Sequence, residues 1–304
     1  MCYSLEVMKR LLKILLILSV AIFCAIGIAV TVVFFAMQQG ALNVKGSIIE
    51  RNSFFGTLPN ATSTSPSEVE PLTNGCIATL DQTKPCEWNE TTQFEVVKGG
   101  LLKDQAVIAR VSQETGVSPR MIVAAVVPEQ VRFFTDNREV FKRYFEPLKL
   151  LVSLSKFSLG VSGIKQDTAV QIENFANATT APFYPGEAYA PLLKYKDGED
   201  HDQVLFDRLT NEKDHYYSYL YTAIYLKQIE AQWKKAGYDI SERPDVLVTL
   251  FNLGFQASQP KENPQVAGAT ITLGGAQYSF GYLGTLFYLS EELASEFPLK
   301  ASTQ

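Results

Sequence analysis

Histidine and cysteine are scarce in this chain, two and four respectively in 304 residues. A structural zinc site wants four clustered thiolate or imidazole ligands. The candidates here are scattered, so such a site is excluded and neither metal nor cofactor is expected. Both histidines, His201 and His215, stand in polar, acidic stretches and read as solvated surface, and no Ser/His/Asp order can be assembled around them. Charge is thin as well, at 19% of residues with a formal net of -5. A nucleic-acid binder would show a basic face, so nucleic acid is not an expected partner. Apolar residues are what is plentiful. A content of 46% hydrophobic and 12% aromatic residues can bury a core, which excludes wholesale disorder. The length suits one sizeable domain with appendages.

Charge is missing altogether from Ile14 to Met37, a run of 24 residues rich in Leu, Ile, Val, Ala and Phe. As a helix it reaches roughly 36 Å at the standard rise, against a hydrocarbon core of about 30 Å. A cleaved signal peptide has an apolar core of only about 7–15 residues, so the run is read as an uncleaved transmembrane helix spanning 14–37. Lys9, Arg10 and Lys13 precede it, and the next basic residue is Lys45. The positive-inside rule then leaves 1–13 in the cytoplasm and puts everything after Gln38 outside.

Residues 38–91 read as a stalk or linker, with Gly40, Gly46, Pro59, Pro66, Pro71 and the Thr-Ser-Thr-Ser run at 62–65. Cys76 and Cys86 fall in it, ten apart, beside the turn-forming pairs Asn74-Gly75 and Lys84-Pro85. In an oxidising compartment they are expected to form one small-loop disulfide.

From 92 to 304 the pattern is globular and mainly α. Apolar spacing predicts a helix over Leu101–Thr115 closed by Gly116, then a second opened by Ser118-Pro119 and running to about Val126. Further helices are expected over 139–156, Asp167–Ala176, Asp214–Ala236 and Pro244–Leu253, with a last helical turn or two over Ser290–Phe297. The stretch 266–281 alternates enough for a small β-hairpin.

Two features in this region could carry chemistry. Glu129 ends the apolar run Met121-Ile-Val-Ala-Ala-Val-Val-Pro128 and is the one acidic residue between Glu114 and Asp136. A carboxyl at the edge of a core is disfavoured in its ionised form, which suits a general acid near neutral pH; an ordinary solvated glutamate past a helix end fits the same residues. The second feature is Ser158-Leu-Gly-Val-Ser-Gly-Ile-Lys-Gln166. Gly160 and Gly163 let that loop pass close to a partner backbone, and a tight connection between helices would show the same pattern.

In order along the chain, these pieces resemble the lysozyme-like lytic transglycosylases of the soluble-lytic and goose-type superfamily. That family has a helix ending in a catalytic glutamate, a Ser-x-Gly-Ala-x-Gly-Leu-Met-Gln loop, a helix with a Tyr-Leu pair and an Ala-Tyr-Asn-Ala-Gly-like segment. The matches are Glu129, the loop Ser158–Gln166, Tyr225-Leu226, and Leu250-Phe-Asn-Leu-Gly254. They cover about 101 to 256. Gln130 departs from the family's usual serine after the glutamate, and residues 131–157 look like an insertion.

The resemblance implies a lysozyme-like helical domain behind a membrane helix, lying outside the cytoplasmic membrane of a bacterium. It implies peptidoglycan glycan strands as the partner, with envelope-complex proteins as possible further ones. Glu129 is the implied acid and base, and Ser158, Gly160, Gly163, Gln166, Tyr225 and Asn252 are the implied substrate-binding set. One carboxyl suffices in that scheme, because the muramoyl 6-hydroxyl closes on the anomeric carbon to give a 1,6-anhydro product. Asp136 could serve a hydrolytic variant, which would need a second carboxylate. A catalytically silent peptidoglycan-binding or assembly module is the alternative that Gln130 favours. Tyr217, Tyr221 and Tyr225 share a helix face, read either as core packing or as a sugar-stacking wall.

Overall fold

The computed structural model describes residues 87–135, 158–211 and 213–300, with the isolated positions 13, 15, 18, 19 and 24 before them. Two compact units divide the chain, Met1–Gly46 and Ser47–Gln304. In the first, the described positions are helical and Leu15 and Leu18 are exposed. No helix among the described residues is long and apolar enough to cross a membrane; the expected 14–37 span lies almost wholly outside them. Cys76, Cys86 and the expected 139–156 helix also lie outside the described residues.

The second unit is mainly helical. Among the described residues its α-helices are α1 (Thr92–Lys103), α2 (Gln105–Thr115), α3 (Pro119–Thr135), α4 (Gln166–Asn177), α5 (His201–Thr210), α6 (Tyr216–Lys235), α7 (Pro244–Leu253) and α8 (Phe280–Leu289). Two antiparallel hairpins accompany them. The first pairs β1 (Ser158–Leu159) with β2 (Ile164–Lys165), and the second pairs β3 (Thr270–Leu273) with β4 (Ala276–Ser279). The second is the expected hairpin, turned at Gly274-Gly275, both with positive φ. The expected helical end at Ser290–Phe297 is instead a run of turns.

α3 is the central element, touching α1, α2, α6, α7, α8 and β3. Every residue from Met121 to Pro128 is buried, as suits a helix whose sequence is apolar all round. Ser118 starts it, its hydroxyl accepting from the Met121 N–H at 3.1 Å. Two expectations fail here. The helix does not stop near Val126 but continues through Pro128 to Thr135, so Glu129 sits inside it. Pro128 has no N–H for the Ala124 carbonyl one turn back. α8 meets that carbonyl with Gly284, where a Cβ would come within 2.5 Å of Ala124 O. Tertiary packing thus covers the acceptor that the proline leaves open.

The second failure is the expected single helix over Leu101–Thr115, which is broken at Asp104. The Asp104 N–H closes α1 on the Gly100 and Leu101 carbonyls, and its own carbonyl accepts from Ile108 of α2. Its side chain meanwhile reaches α6.

Candidate active site around Glu129

Glu129 is partly shielded, with 11% of its side chain exposed, and Arg132 one turn on is 19% exposed. The Arg132 Nη2 lies 2.9 Å from Glu129 Oε1 and 2.7 Å from Oε2, so one guanidinium nitrogen bridges both carboxylate oxygens. Against the same carboxyl lies the backbone of the glycine loop. A Cβ at Gly163, where φ is +66°, would fall 2.3 Å from Glu129 Oε1. Two motifs far apart in sequence therefore meet at one carboxyl.

Contacts with α3, α5 and α6 hold that loop. Gly160, at φ +60°, presses on the end of α5, where a Cβ would come 2.0 Å from Leu209 O. The Ser162 hydroxyl donates to the Ser218 carbonyl of α6 at 2.7 Å. The Gln130 side-chain amide donates to the Val161 carbonyl. Only glycine suits 160 and 163, for conformation and for space alike. The loop is also flanked by paired strands, with Ser158 opposite Lys165 and Leu159 opposite Ile164.

The remaining expected site residues are not seen to contact Glu129. Gln166 opens α4 and its amide donates to the Asp202 carbonyl at 3.4 Å. Asn252 accepts the Ala269 N–H at 2.8 Å and so anchors the segment entering β3. Tyr225 is 1% exposed and packs on Phe251 and Phe255, at 5.5 and 4.3 Å between ring centroids. Its ring offers no open face for a sugar, so the stacking-wall reading is corrected to core packing. Its hydroxyl has no hydrogen-bond partner among the described residues, and burial pushes the phenol up.

Two other tyrosines of α6, Tyr219 and Tyr221, serve buried carboxylates. Tyr219 donates to Asp104 Oδ2 at 2.7 Å, and the His215 Nδ1 lies 2.7 Å from the same oxygen. His215 is 3% exposed, which overturns its reading as solvated surface. Tyr195 and Tyr221 both donate to Glu173 Oε1, the former at 2.5 Å, and His201 Nε2 sits 2.7 Å from Oε2. Burial first, and then the neighbouring carboxylate, push the Tyr195 and Tyr221 phenols up, which keeps both as donors. Burial works against charge on His201, but the hydrogen bond and charge of Glu173, with Asp202, outweigh it and raise its pKa. His201 is exposed, as its surface reading has it, and is engaged with Glu173 there.

Beside this cluster lies a cavity of about 260 Å³ lined by Asn174, Asn177, Leu193, Lys194, Tyr195 and His201 among others. None of its lining residues touches Glu129 in the contacts described above. Among the described residues no three His, Cys, Asp or Glu side chains are grouped to hold a metal ion.

Sequence reasoning missed Arg132 and the roles of Gln130, Ser218, Asp104 and Glu173. The i,i+3 spacing of Glu129 and Arg132 was legible as a helix pair; the others depend on which helices face each other. Set against protein-family models, curated proteins and solved structures, the chain matches none.

Proposed function

We propose that this chain is a membrane-anchored lytic transglycosylase that cleaves peptidoglycan glycan strands outside the bacterial cytoplasmic membrane, with Glu129 as general acid and base. One observation supports the reading above the others: the glycine loop, 29 residues after Glu129 in sequence, packs its Gly163 backbone on the Glu129 carboxyl. That is the pairing of elements the family resemblance requires. A partly shielded carboxyl beside a close-packed backbone is a fitting place to move a proton to and from a glycosidic oxygen.

In this reaction the Glu129 carboxyl gives its proton to the glycosidic oxygen as the bond from that oxygen to the muramoyl C1 breaks. The 6-hydroxyl oxygen then bonds to C1, and its proton returns to Glu129. No water is consumed, so no second carboxylate is needed, unlike hydrolysis by a carboxylate pair. Arg132 bridges both carboxyl oxygens, so proton donation requires the guanidinium to move off one of them.

That same ion pair favours a second reading, in which the domain binds peptidoglycan without cleaving it. Product analysis decides. Purified murein is digested and the released muropeptides are examined by mass spectrometry. The wild type is expected to release anhydromuramoyl ends, and Glu129→Gln to lower release at least about 100-fold while the fold persists. Reducing ends would make it a hydrolytic muramidase. Full activity in Glu129→Gln would refute the assignment, and with silence from the wild type the non-cleaving scaffold reading takes over.

A further inference from the structure

We infer that Gln130 is a positioning residue of the Glu129 site, its side-chain amide setting where the glycine loop lies against the carboxyl. Successive helix residues point about 100° apart, since a turn takes 3.6 residues. Gln130 therefore turns away from Glu129 into the interior, where it is 1% exposed. There its Nε2 donates to the Val161 carbonyl, two residues before the Gly163 backbone that lies on Glu129. The other tethers of the loop run to α5 at Leu209 and to α6 at Ser218. The Gln130 amide makes a hydrogen bond between the loop and α3, the helix carrying the glutamate. It fixes the loop to the same rigid element as the carboxyl.

The rest of the Gln130 side chain is poor value as packing. Its Oε1 is buried without a partner among the described residues, and an unsatisfied buried acceptor is destabilising. Methionine would fill nearly the same volume without that orphan. The amide's contribution thus lies in the donor bond to Val161. Gln228 offers a built-in comparison: it is also fully buried, also donates to a carbonyl, that of Ile172 at 2.8 Å, and also leaves Oε1 unpartnered. It ties α6 to α4, not α3 to the loop.

The activity readout rests on the murein-cleaving reading, whereas the structural readout does not. Gln130→Met and Gln228→Met are made in the full chain and compared with wild type for turnover of murein, for thermal stability, and by NMR at the Gly163 amide and the Glu129 side-chain carboxyl. Gln130→Met is expected to lower kcat about ten- to a hundredfold, the scale of a small misplacement of catalytic groups, with KM within about twofold. It should also move both resonances. Gln228→Met should change thermal stability alone. Should Gln130→Met fail to fold, Gln130→Asn, whose amide falls one methylene short of Val161, is read the same way.

Unmoved Gly163 and Glu129 resonances in a folded Gln130 variant would overturn the inference, as would equal shifts in Gln228→Met. If the wild type cleaves no murein, the enzymatic reading fails by itself, and the two resonances alone decide the role of Gln130.

Discussion

Gly163 approaches the Glu129 carboxyl more closely than any side chain at that position would permit, and its φ of +66° lies where L-residues are strained. Substituting alanine imposes about 1–2 kcal/mol of backbone strain and drives a methyl group into Oε1. Gly163→Ala is expected to abolish most murein release while lowering the melting temperature by only a few degrees, because the loop can back away from α3 without unfolding the core. Release assays set beside thermal melts check this, and undiminished activity would separate the loop from the site. A second residue-scale case is Asp104, which accepts from both His215 and Tyr219. Asp104→Ala leaves two buried donors without their acceptor and is expected to cost about 3 kcal/mol, read from urea unfolding.

At the scale of elements, α8 is the clearest example of fit through absent side chains. Gly281 and Gly284, three apart, face α7 and α3. A Cβ at 281 would come 2.0 Å from the Thr249 hydroxyl, and at 284 it would meet both Ala124 O and the Val248 methyl groups. Gly284→Ala is therefore expected to destabilise by about 1–3 kcal/mol through overpacking, although in an isolated helix alanine would be the better former.

Another element-scale contact docks the start of α5 on α4 through His201 and Glu173. The His201 pKa is raised in the folded chain. The stabilisation from this pair is therefore complete below the ordinary histidine pKa of about 6.5 and is lost as pH rises through the folded value. Melting temperatures of wild type and His201→Gln should differ at about pH 5.5 and converge by about pH 8.5. A gap that widened with pH would reverse the assignment.

For the whole molecule, the organisation outside the described residues makes its own predictions. The basic flank before the uncharged run at 14–37 orients the chain by the positive-inside rule. A reporter active only in the cytoplasm, fused after Gln304, should be silent, and one active only in the periplasm should work. Cytoplasmic activity would remove the proposed substrate from reach. Cys76 and Cys86, on the outer side in that topology, should resist alkylation until a reductant is added. Ready labelling without it would refute the bridge.

How much of this was readable along the chain depended on the range of the forces involved. Periodicity and turn residues foretold α2, α4, α6, α7 and the β3–β4 hairpin, because spacing, caps and Gly-Gly turns act over a few residues. The glycine spacing in the loop and the isolation of Glu129 were likewise visible in order. Local signals misled where distant partners took over. Asp104 breaks a continuous helical pattern where His215 and Tyr219, at the start of α6, reach its carboxylate, and α3 runs on through Pro128 with every residue from Met121 to Pro128 buried in the core. His215 read as surface because nothing in its neighbourhood announces a buried contact from another helix, and the tyrosine face at 217, 221 and 225 left core and groove open for the same reason. The sequence by itself determined a helical domain behind an uncharged run and placed Glu129 among apolar residues. Only the tertiary structure decided that Gly163 lies on that carboxyl with Arg132 bridging it, and that Gln130 reaches the loop at Val161, since contacts between helices depend on which faces pack, and that is settled by the whole core at once.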